Sequence, residues 1–343
     1  MNVAQKVLHS VDRLQQRWPW LAFPVAVWKK FGDDQAGNLA ALIAYYAFAS
    51  IFPLLLVLVT VLDIVLGHDP VLRQKILGSA FGQFPVIGTQ LKHNVHSLHE
   101  TGLALVIGLI LTFLGTRGVA GAAQNACNTA WGVPYVRRPG FPWNALRSIA
   151  MIVVVGTGII ATTLLSGLAG GAAASVLPGP SARAGAIAVS LLLNIGLFWL
   201  GFRLATASEV GRNELLLGAV LAAIVWQLLQ LLGGYLVSHD LSKSNSLYGV
   251  FGVVLGLLAW LYLQAEFTLY AVEAAVVKSR QLWPRTLVPP PLHEPDRRAY
   301  EMYAQAQQRF RGQEIDIRIA DDPTKKPERQ TSGPPPVMKA PTE

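Results

Sequence analysis

The 343-residue chain is apolar and basic: 52% of its residues are hydrophobic, 14% are charged, and the formal net charge is +8. With a mean hydropathy of +0.40, this composition excludes an ordinary soluble domain of this length. The basic residues collect in the tails and in alternate loops, as in membrane proteins, so we expect no nucleic-acid partner. The single cysteine, Cys127, excludes an intrachain disulfide and a CxxC metal or redox site.

The N-terminal segment, residues 1–30, is predicted to be a cytoplasmic amphipathic segment on the membrane surface. Apolar residues recur at helical spacing at Val7, Val11, Leu14 and Trp18. This pattern suits a helix lying among lipid headgroups, and a short soluble helix is the alternative. An interfacial belt is predicted from Trp18, Trp20, Trp28, Lys29 and Lys30. Charged residues interrupt the segment, so it is not expected to be a signal peptide.

Six long apolar stretches predict an all-α, polytopic membrane protein with six transmembrane helices. Each stretch is long enough to cross a hydrocarbon core about 30 Å thick, for which about 20 helical residues suffice. The predicted spans are residues 38–66, 102–131, 143–166, 184–204, 215–237 and 247–277. Together they form a predicted transmembrane domain over residues 31–279.

The segment between the first two spans, residues 67–101, is more polar and is predicted to be an extracytoplasmic loop. It contains three histidines at i, i+3 and i+6: His93, His96 and His99. This spacing makes a surface metal site geometrically feasible. A solvated helix face explains the same pattern, and we expect no metal ion or other cofactor in this protein.

The second span carries a charge that constrains the rest of the chain. Counted from Gly102, Arg117 lies about 22 Å along the helix at 1.5 Å per residue. Helical spacing places Arg117 on one face with Gly121, Gln124 and Asn128, a polar stripe that other helices should cover in place of lipid. Small residues that would let neighbouring helices approach closely are Gly108, Gly115, Gly118, Ala122 and Ala123.

The last span carries a matching polar face. Its residues, at steps of three or four, are Ala259, Tyr262, Glu266, Tyr270 and Glu273. Glu266 lies about 28 Å from the start of this helix, a depth comparable to that of Arg117. The sequence therefore predicts a buried ion pair between Arg117 and Glu266, because each charge would offset the burial cost of the other. Should the two stripes not meet, Arg203 or Gln230 is the next candidate partner for Glu266.

Polar residues near the centres of several spans define a candidate substrate path. Its residues are Tyr46, Arg117, Gln124, Asn128, Gln227, Gln230, Tyr262, Glu266 and Glu273. An arginine in such a path would attract an anionic group, such as a phosphate headgroup or a carboxylate. In the alternative interpretation, the same residues only fix the register of packed helices.

Basic residues set the predicted orientation. They concentrate in the N-terminal segment, in the loop after the second span and in the C-terminal tail, so both termini are predicted to be cytoplasmic. Residues 280–343 contain many prolines and little apolar surface, which predicts a largely disordered cytoplasmic tail. The pattern around Tyr300, Ala304 and residues 307–310 is consistent with one short helix within it.

The chain contains three motifs typical of one known family: AALIAYYAFASIFPLLL, then GTRGVAGAAQNACNTAWGVP followed by paired arginines, and SLYGVFGVVLGLLAWLYL with the later Glu273. Over residues 31–279 the chain resembles the YihY/BrkB family of bacterial inner-membrane proteins. The resemblance implies an integral protein of the cell envelope, for which transport and resistance to host defence have been proposed. Ala271 and Val272 depart from the Gly-Ala pair that the family tends to have before the glutamate.

The family has also carried a ribonuclease BN label, which these residues do not favour. A metal-dependent nuclease needs carboxylates or histidines that converge on metal ions in a water-accessible domain. The sequence has no such cytoplasmic motif, no hydrolase signature and no GxxxxGK[ST] loop, so we expect neither an enzyme nor ATP-driven transport. We predict a transporter or a translocator of lipids or anions, with membrane lipids as partners. A non-transporting scaffold of the envelope is the alternative, and the sequence indicates no oligomeric state.

Overall fold

The computed structural model describes Asp12, Leu14, Gln15 and residues 18–66, 102–171, 180–239, 249–289 and 292–319. Within these ranges the chain forms helices and connecting turns, without any β-strand. The α-helices are α1 Pro19–Asp33, α2 Ala36–Leu66, α3 Gly102–Ala130, α4 Trp143–Gly171, α5 Pro180–Ala205, α6 Glu214–His239, α7 Gly249–Arg280 and α8 Glu294–Ala306. A short 3-10 helix, Tyr135–Arg137, lies between α3 and α4.

The six helices α2 to α7 correspond to the six predicted spans and end within a few residues of the predicted limits. The all-helical fold is therefore confirmed. Three stretches in the described part of the chain are long and apolar enough to cross a membrane: Ile187–Ala205, Glu214–Leu232 and Val254–Arg280. Apolar stretches in α2 and α4, Ala36–Ile51 and Trp143–Gly158, are shorter. Crossing by all six helices remains a prediction.

The long helices expose many large apolar side chains, as expected of helices that face lipid. Ile110 on α3, Leu192 on α5 and Leu231 on α6 are all more than half exposed. Among the described residues, a large buried apolar cluster lies where α1 and α8 meet the C-terminal ends of α3 and α7. That cluster is rich in alanine, which allows the helix backbones to approach closely.

Helices α2 and α3 approach each other through glycine, as the sequence predicts. A Cβ added at Gly115 would lie 2.7 Å from the Cβ and 3.1 Å from the Cα of Ser50. A Cβ added at Gly118 would overlap the ring of Tyr46. Two of the predicted small residues therefore form the contact surface with α2.

We expect Gly115→Ala to lower the free energy of unfolding by about 1 to 3 kcal/mol, because the new methyl group would meet the Ser50 backbone. Gly121→Ala on the same helix is the matched control. Its added Cβ has no heavy atom within 4 Å, and alanine favours a helix over glycine by about 1 kcal/mol. Thermal unfolding in detergent micelles would compare the two variants with the parent. Equal midpoints for the two variants would contradict the close approach of α2 and α3.

The chain after the last long helix contains α8, which overlaps the one short helix expected around Tyr300 and Ala304 and begins earlier in the sequence. Residues 281–289 pack beneath α8, and Leu282 and Ala299 are fully buried. Proline does not prevent this helix, because Pro295 lies in the first turn of α8, where the missing N–H breaks no helical hydrogen bond. Asp296 and His293 complete a capping box at the same helix end. Proline content alone was therefore a poor guide to order in this segment.

Candidate functional site

The nine residues of the predicted substrate path lie in three different environments. Gln124, Asn128 and Glu273 are buried. Arg117 is exposed. The half-buried residues are Tyr46, Gln227, Gln230, Tyr262 and Glu266.

Gln124 and Asn128 are committed to helix packing. The Asn128 side-chain amide donates to the carbonyls of Gln124 at 2.7 Å and Ala205 at 3.3 Å, and its oxygen accepts from the Ala207 N–H at 2.8 Å. Gln124 donates to the Ser148 hydroxyl on α4 at 3.1 Å. Asn128 thus satisfies backbone groups that the end of α5 leaves unpaired. Both amides join the C-terminal end of α3 to its neighbours and leave little capacity for a substrate.

Arg117 lies on the uncovered surface of α3. Its neighbours on this surface, Ile110, Phe113 and Leu114, are about half exposed, at 54%, 47% and 57%. The polar stripe is therefore covered near Gln124 and Asn128 but left open at Arg117 by the described residues.

The predicted ion pair between Arg117 and Glu266 is wrong. Within the described ranges neither residue forms an ion pair, and Arg203 does not pair with Glu266 either. The reason lies in the packing order: α3 packs mainly against α2, and α7 packs mainly against α6 and α2, with little contact between α3 and α7. Equal depth along two helices did not imply that the two side chains face each other.

Glu273 is the buried charge on α7 that does find partners, and the sequence analysis missed them. The Lys30 Nζ lies 2.8 Å from the Glu273 Oε2 and 2.5 Å from the Asp34 Oδ2, and it donates to the Ala130 carbonyl at 2.8 Å. The three side chains are 0%, 1% and 5% exposed. We call Lys30, Asp34 and Glu273 the carboxylate-pair site.

Local structure explains why these residues meet. Pro19 starts α1 at a position that suits proline, and Lys30 lies in its last turn. Asp34 follows the helix end, and Gln35, with a φ of 51°, turns the chain into α2. The site therefore fastens the turn between α1 and α2 to α7.

The predicted interfacial belt is only partly consistent with this arrangement. Trp18, Trp20 and Trp28 are exposed, as a belt requires, whereas Lys30 points into the protein. Burial alone would lower the pKa of Lys30, but the carboxylates of Glu273 and Asp34 outweigh it, so the net effect raises that pKa. The i, i+4 spacing of Lys30 and Asp34 was the one sequence signal for this pair.

A second group of charges ties α1 to α8. The Arg285 guanidinium lies 2.7 Å from Asp296 and 3.0 Å from Asp33, and the Lys29 ammonium lies 3.2 Å from Asp296. We call these four residues the terminal ion network. Arg285 and Asp296 are fully buried, and the network contains two positive and two negative charges. The sequence predicts a largely disordered tail with one short helix around residues 300–310, and no local pattern indicates these long-range ion pairs.

Hydrogen bonds reinforce the terminal ion network. Burial would raise the pKa of Asp296, but hydrogen bonds from Arg285 and the Thr286 N–H, together with the Lys29 charge, hold it below its usual value. This carboxylate therefore stabilises the fold at neutral pH, and the contribution is lost as the pH falls through that lowered pKa. Gln15 donates to the Arg285 carbonyl at 2.5 Å, which adds a contact from the residues before α1 to this network.

Metal binding has little support in the part of the chain that the structure describes. No group of three or more histidine, cysteine, aspartate or glutamate side chains there could hold a metal ion. His93, His96 and His99 lie outside the described residues. The expectation of a solvated histidine face thus remains a prediction.

Comparison with known proteins identifies related membrane proteins. The family described as "Virulence factor BrkB" matches residues 27–289. The chain is 26% identical over 275 residues to the inner membrane protein YhjD of Escherichia coli (strain K12), covering 74% of this chain and 80% of that protein. It is 24% identical over 276 residues to a UPF0761 membrane protein of Azotobacter vinelandii, covering 77% and 65%. No solved structure matches the chain.

Proposed function

Since this chain belongs to the virulence factor BrkB family, we propose that it is a multi-pass protein of the bacterial inner membrane that moves an anionic solute or an anionic lipid headgroup across the bilayer. The name of the Escherichia coli relative supports the location, as do the apolar helices α5, α6 and α7. The proposed topology has six crossings and both termini in the cytoplasm, in keeping with the distribution of basic residues. The proposal assigns no enzymatic step to the chain.

The exposed position of Arg117 is the observation that supports this proposal. This residue is exposed on an apolar helix surface, and it forms no ion pair within the described ranges. A charge in a membrane is costly unless it meets water, a counter-ion or a headgroup. Guanidinium groups bind phosphate and carboxylate through two parallel hydrogen bonds, so an anionic group is the ligand that fits Arg117.

Buried polar groups on α6 and α7 supply a second part of the proposed path. The Gln230 side-chain oxygen and the Trp260 indole N–H are buried without a hydrogen-bond partner, and so is the Gln264 amide nitrogen. A Cβ at Gly218 of α6 would lie 3.3 Å from the Ala271 carbonyl of α7, which sets the register of the two helices. Along α6, Gln230 lies about three turns from Gly218, and along α7, Trp260 lies about three turns from Ala271. Gln230 and Trp260 are therefore at a similar depth in the helix pair. Unpaired polar groups at one level favour water or a polar solute between the helices.

Reconstituted liposomes test the proposal. We expect the wild-type protein to move labelled phosphatidylglycerol between leaflets, or to admit inorganic phosphate. Arg117→Gln should lower that flux by about tenfold or more, since it removes a charge-assisted contact. The variant should keep the wild-type unfolding temperature, because Arg117 is exposed and unpaired in the described structure.

Arg137→Gln is the control for loss of a positive charge. Arg137 is exposed and pairs with the exposed Glu209 at 3.4 Å, away from the proposed path. Its flux should equal that of the parent. Wild-type liposomes that move neither probe, or equal flux in Arg117→Gln and the parent, would contradict the proposal.

A scaffold in the cell envelope is the second candidate function. It is favoured by Gln124 and Asn128, whose hydrogen bonds serve helix packing alone. A scaffold would give wild-type flux no higher than that of empty liposomes.

A further inference from the structure

We propose that Asp34 and Glu273 bind one proton between them, so that the carboxylate-pair site holds one ionised carboxylate beside Lys30 in the folded protein. The site would bind this proton whether or not the protein transports a solute.

Both carboxyl groups contact the same ammonium group. The Lys30 Nζ lies 2.5 Å from the Asp34 Oδ2 and 2.8 Å from the Glu273 Oε2, so one ammonium group is in direct contact with both carboxyl groups. Water has almost no access, since the side chains are 0% to 5% exposed. With both carboxyls ionised, the site would carry one uncompensated negative charge.

No second cation faces the site from the described parts of the neighbouring elements. On α1, Lys29 belongs to the terminal ion network, which is already balanced. From α3 come the Ala130 carbonyl and the buried Cys127, which bring no positive charge. The Tyr303 ring of α8 lies 5.9 Å from the Lys30 Nζ.

The remaining nearby side chains also leave the charge balance of the carboxylate-pair site unchanged. Tyr270 stacks on Phe31 at a centroid distance of 3.8 Å, and Arg280 lies over the Trp131 ring at 5.9 Å. Tyr303 donates to Asp33 at 3.3 Å, which links the site to the terminal ion network without adding a cation.

A bound proton removes the excess charge at little structural cost. An isolated buried carboxylate is strongly disfavoured, and two adjacent carboxyl groups titrate as a pair that shares a proton. The O–H of one carboxyl then donates to the carboxylate of the other, a short and strong type of hydrogen bond. The buried Glu273 Oε2 has no hydrogen bond of normal geometry despite its short distance to Lys30, which leaves it free to take part.

Infrared spectroscopy of the full-length protein in lipid at about neutral pH tests the charge balance. The wild type should show the carbonyl stretch of a buried, protonated carboxylic acid, with the usual shift in D2O. Glu273→Gln and Asp34→Asn should each lose this band, because either substitution leaves one carboxylate beside one lysine. Glu266→Gln is the matched control, since Glu266 lies on the same helix without an ion pair in the described structure, and it should keep the band.

The infrared spectra can contradict the shared proton in two ways. A wild-type spectrum without the band would overturn the proposal, and so would a band that persists in either single variant of the site. Should a variant not fold, the wild type alone still tests the site: the band must be present at neutral pH and must disappear as the pH is raised.

Discussion

Lys30→Met is expected to lower the free energy of unfolding by about 3 to 5 kcal/mol, because it removes the only cation from a buried group of two carboxyls. The methionine fills similar space but offers no charge and no N–H donor. The Ala130 carbonyl would also lose its bond to Lys30. The two buried carboxyl groups would then lie side by side without a counter-charge.

Thermal unfolding in detergent micelles measures this effect. Lys278→Met is the control, because Lys278 lies exposed near the same end of α7 and should tolerate the change. Adding Glu273→Leu to Lys30→Met should restore part of the stability, since removing both partners of a buried pair costs less than removing one. A midpoint for Lys30→Met equal to that of Lys278→Met would show that the site contributes nothing to stability.

Arg285→Met is expected to detach α8 from α1 and to cost about 3 to 5 kcal/mol, because it leaves the fully buried Asp296 with only Lys29 as a counter-ion. Asp33 would lose its cation as well. The pKa of Asp296 should move up toward its usual value when its first partner is removed. Limited proteolysis would then cut between α7 and α8 faster than in the parent.

Arg298→Met on the same helix provides the control for this second substitution. Arg298 pairs with Glu294 at 3.5 Å, but the two side chains are 47% and 67% exposed, so the pair is worth about 1 kcal/mol or less. Its proteolysis rate should match that of the parent. Equal proteolysis rates for Arg285→Met and Arg298→Met would contradict the claim that the buried Arg285 holds α8 against α1.

These expectations separate two parts of the molecule. The carboxylate-pair site and the terminal ion network lie together where α1, α8 and the end of α7 meet: the first joins α1 to α7, and the second joins α1 to α8. Arg117 and the buried polar groups of α6 and α7 belong to neither site. Substitutions in the carboxylate-pair site or the terminal ion network should therefore lower the stability of the protein, whereas Arg117→Gln should lower the flux.

The sequence by itself determined the helices and several of their surfaces. The length and apolarity of each stretch are local properties, and a chain in lipid must satisfy its backbone hydrogen bonds within such helices. The close approach at Gly115 and the exposure of Trp18 and Trp28 were also readable from residue type and spacing. These features depend on neighbours within the same segment.

Only the tertiary structure decided which charges meet. Periodicity places Arg117 and Glu266 on definite faces at similar depths, but it does not say which helix each face contacts. α3 and α7 both pack mainly against other helices, so Glu273 pairs instead with Lys30, which is far away in sequence. A short helix near α8 was indicated by the sequence, but its contacts were not: Arg285 pairs with Asp296 of α8 and Asp33 of α1, and local composition cannot report such long-range contacts.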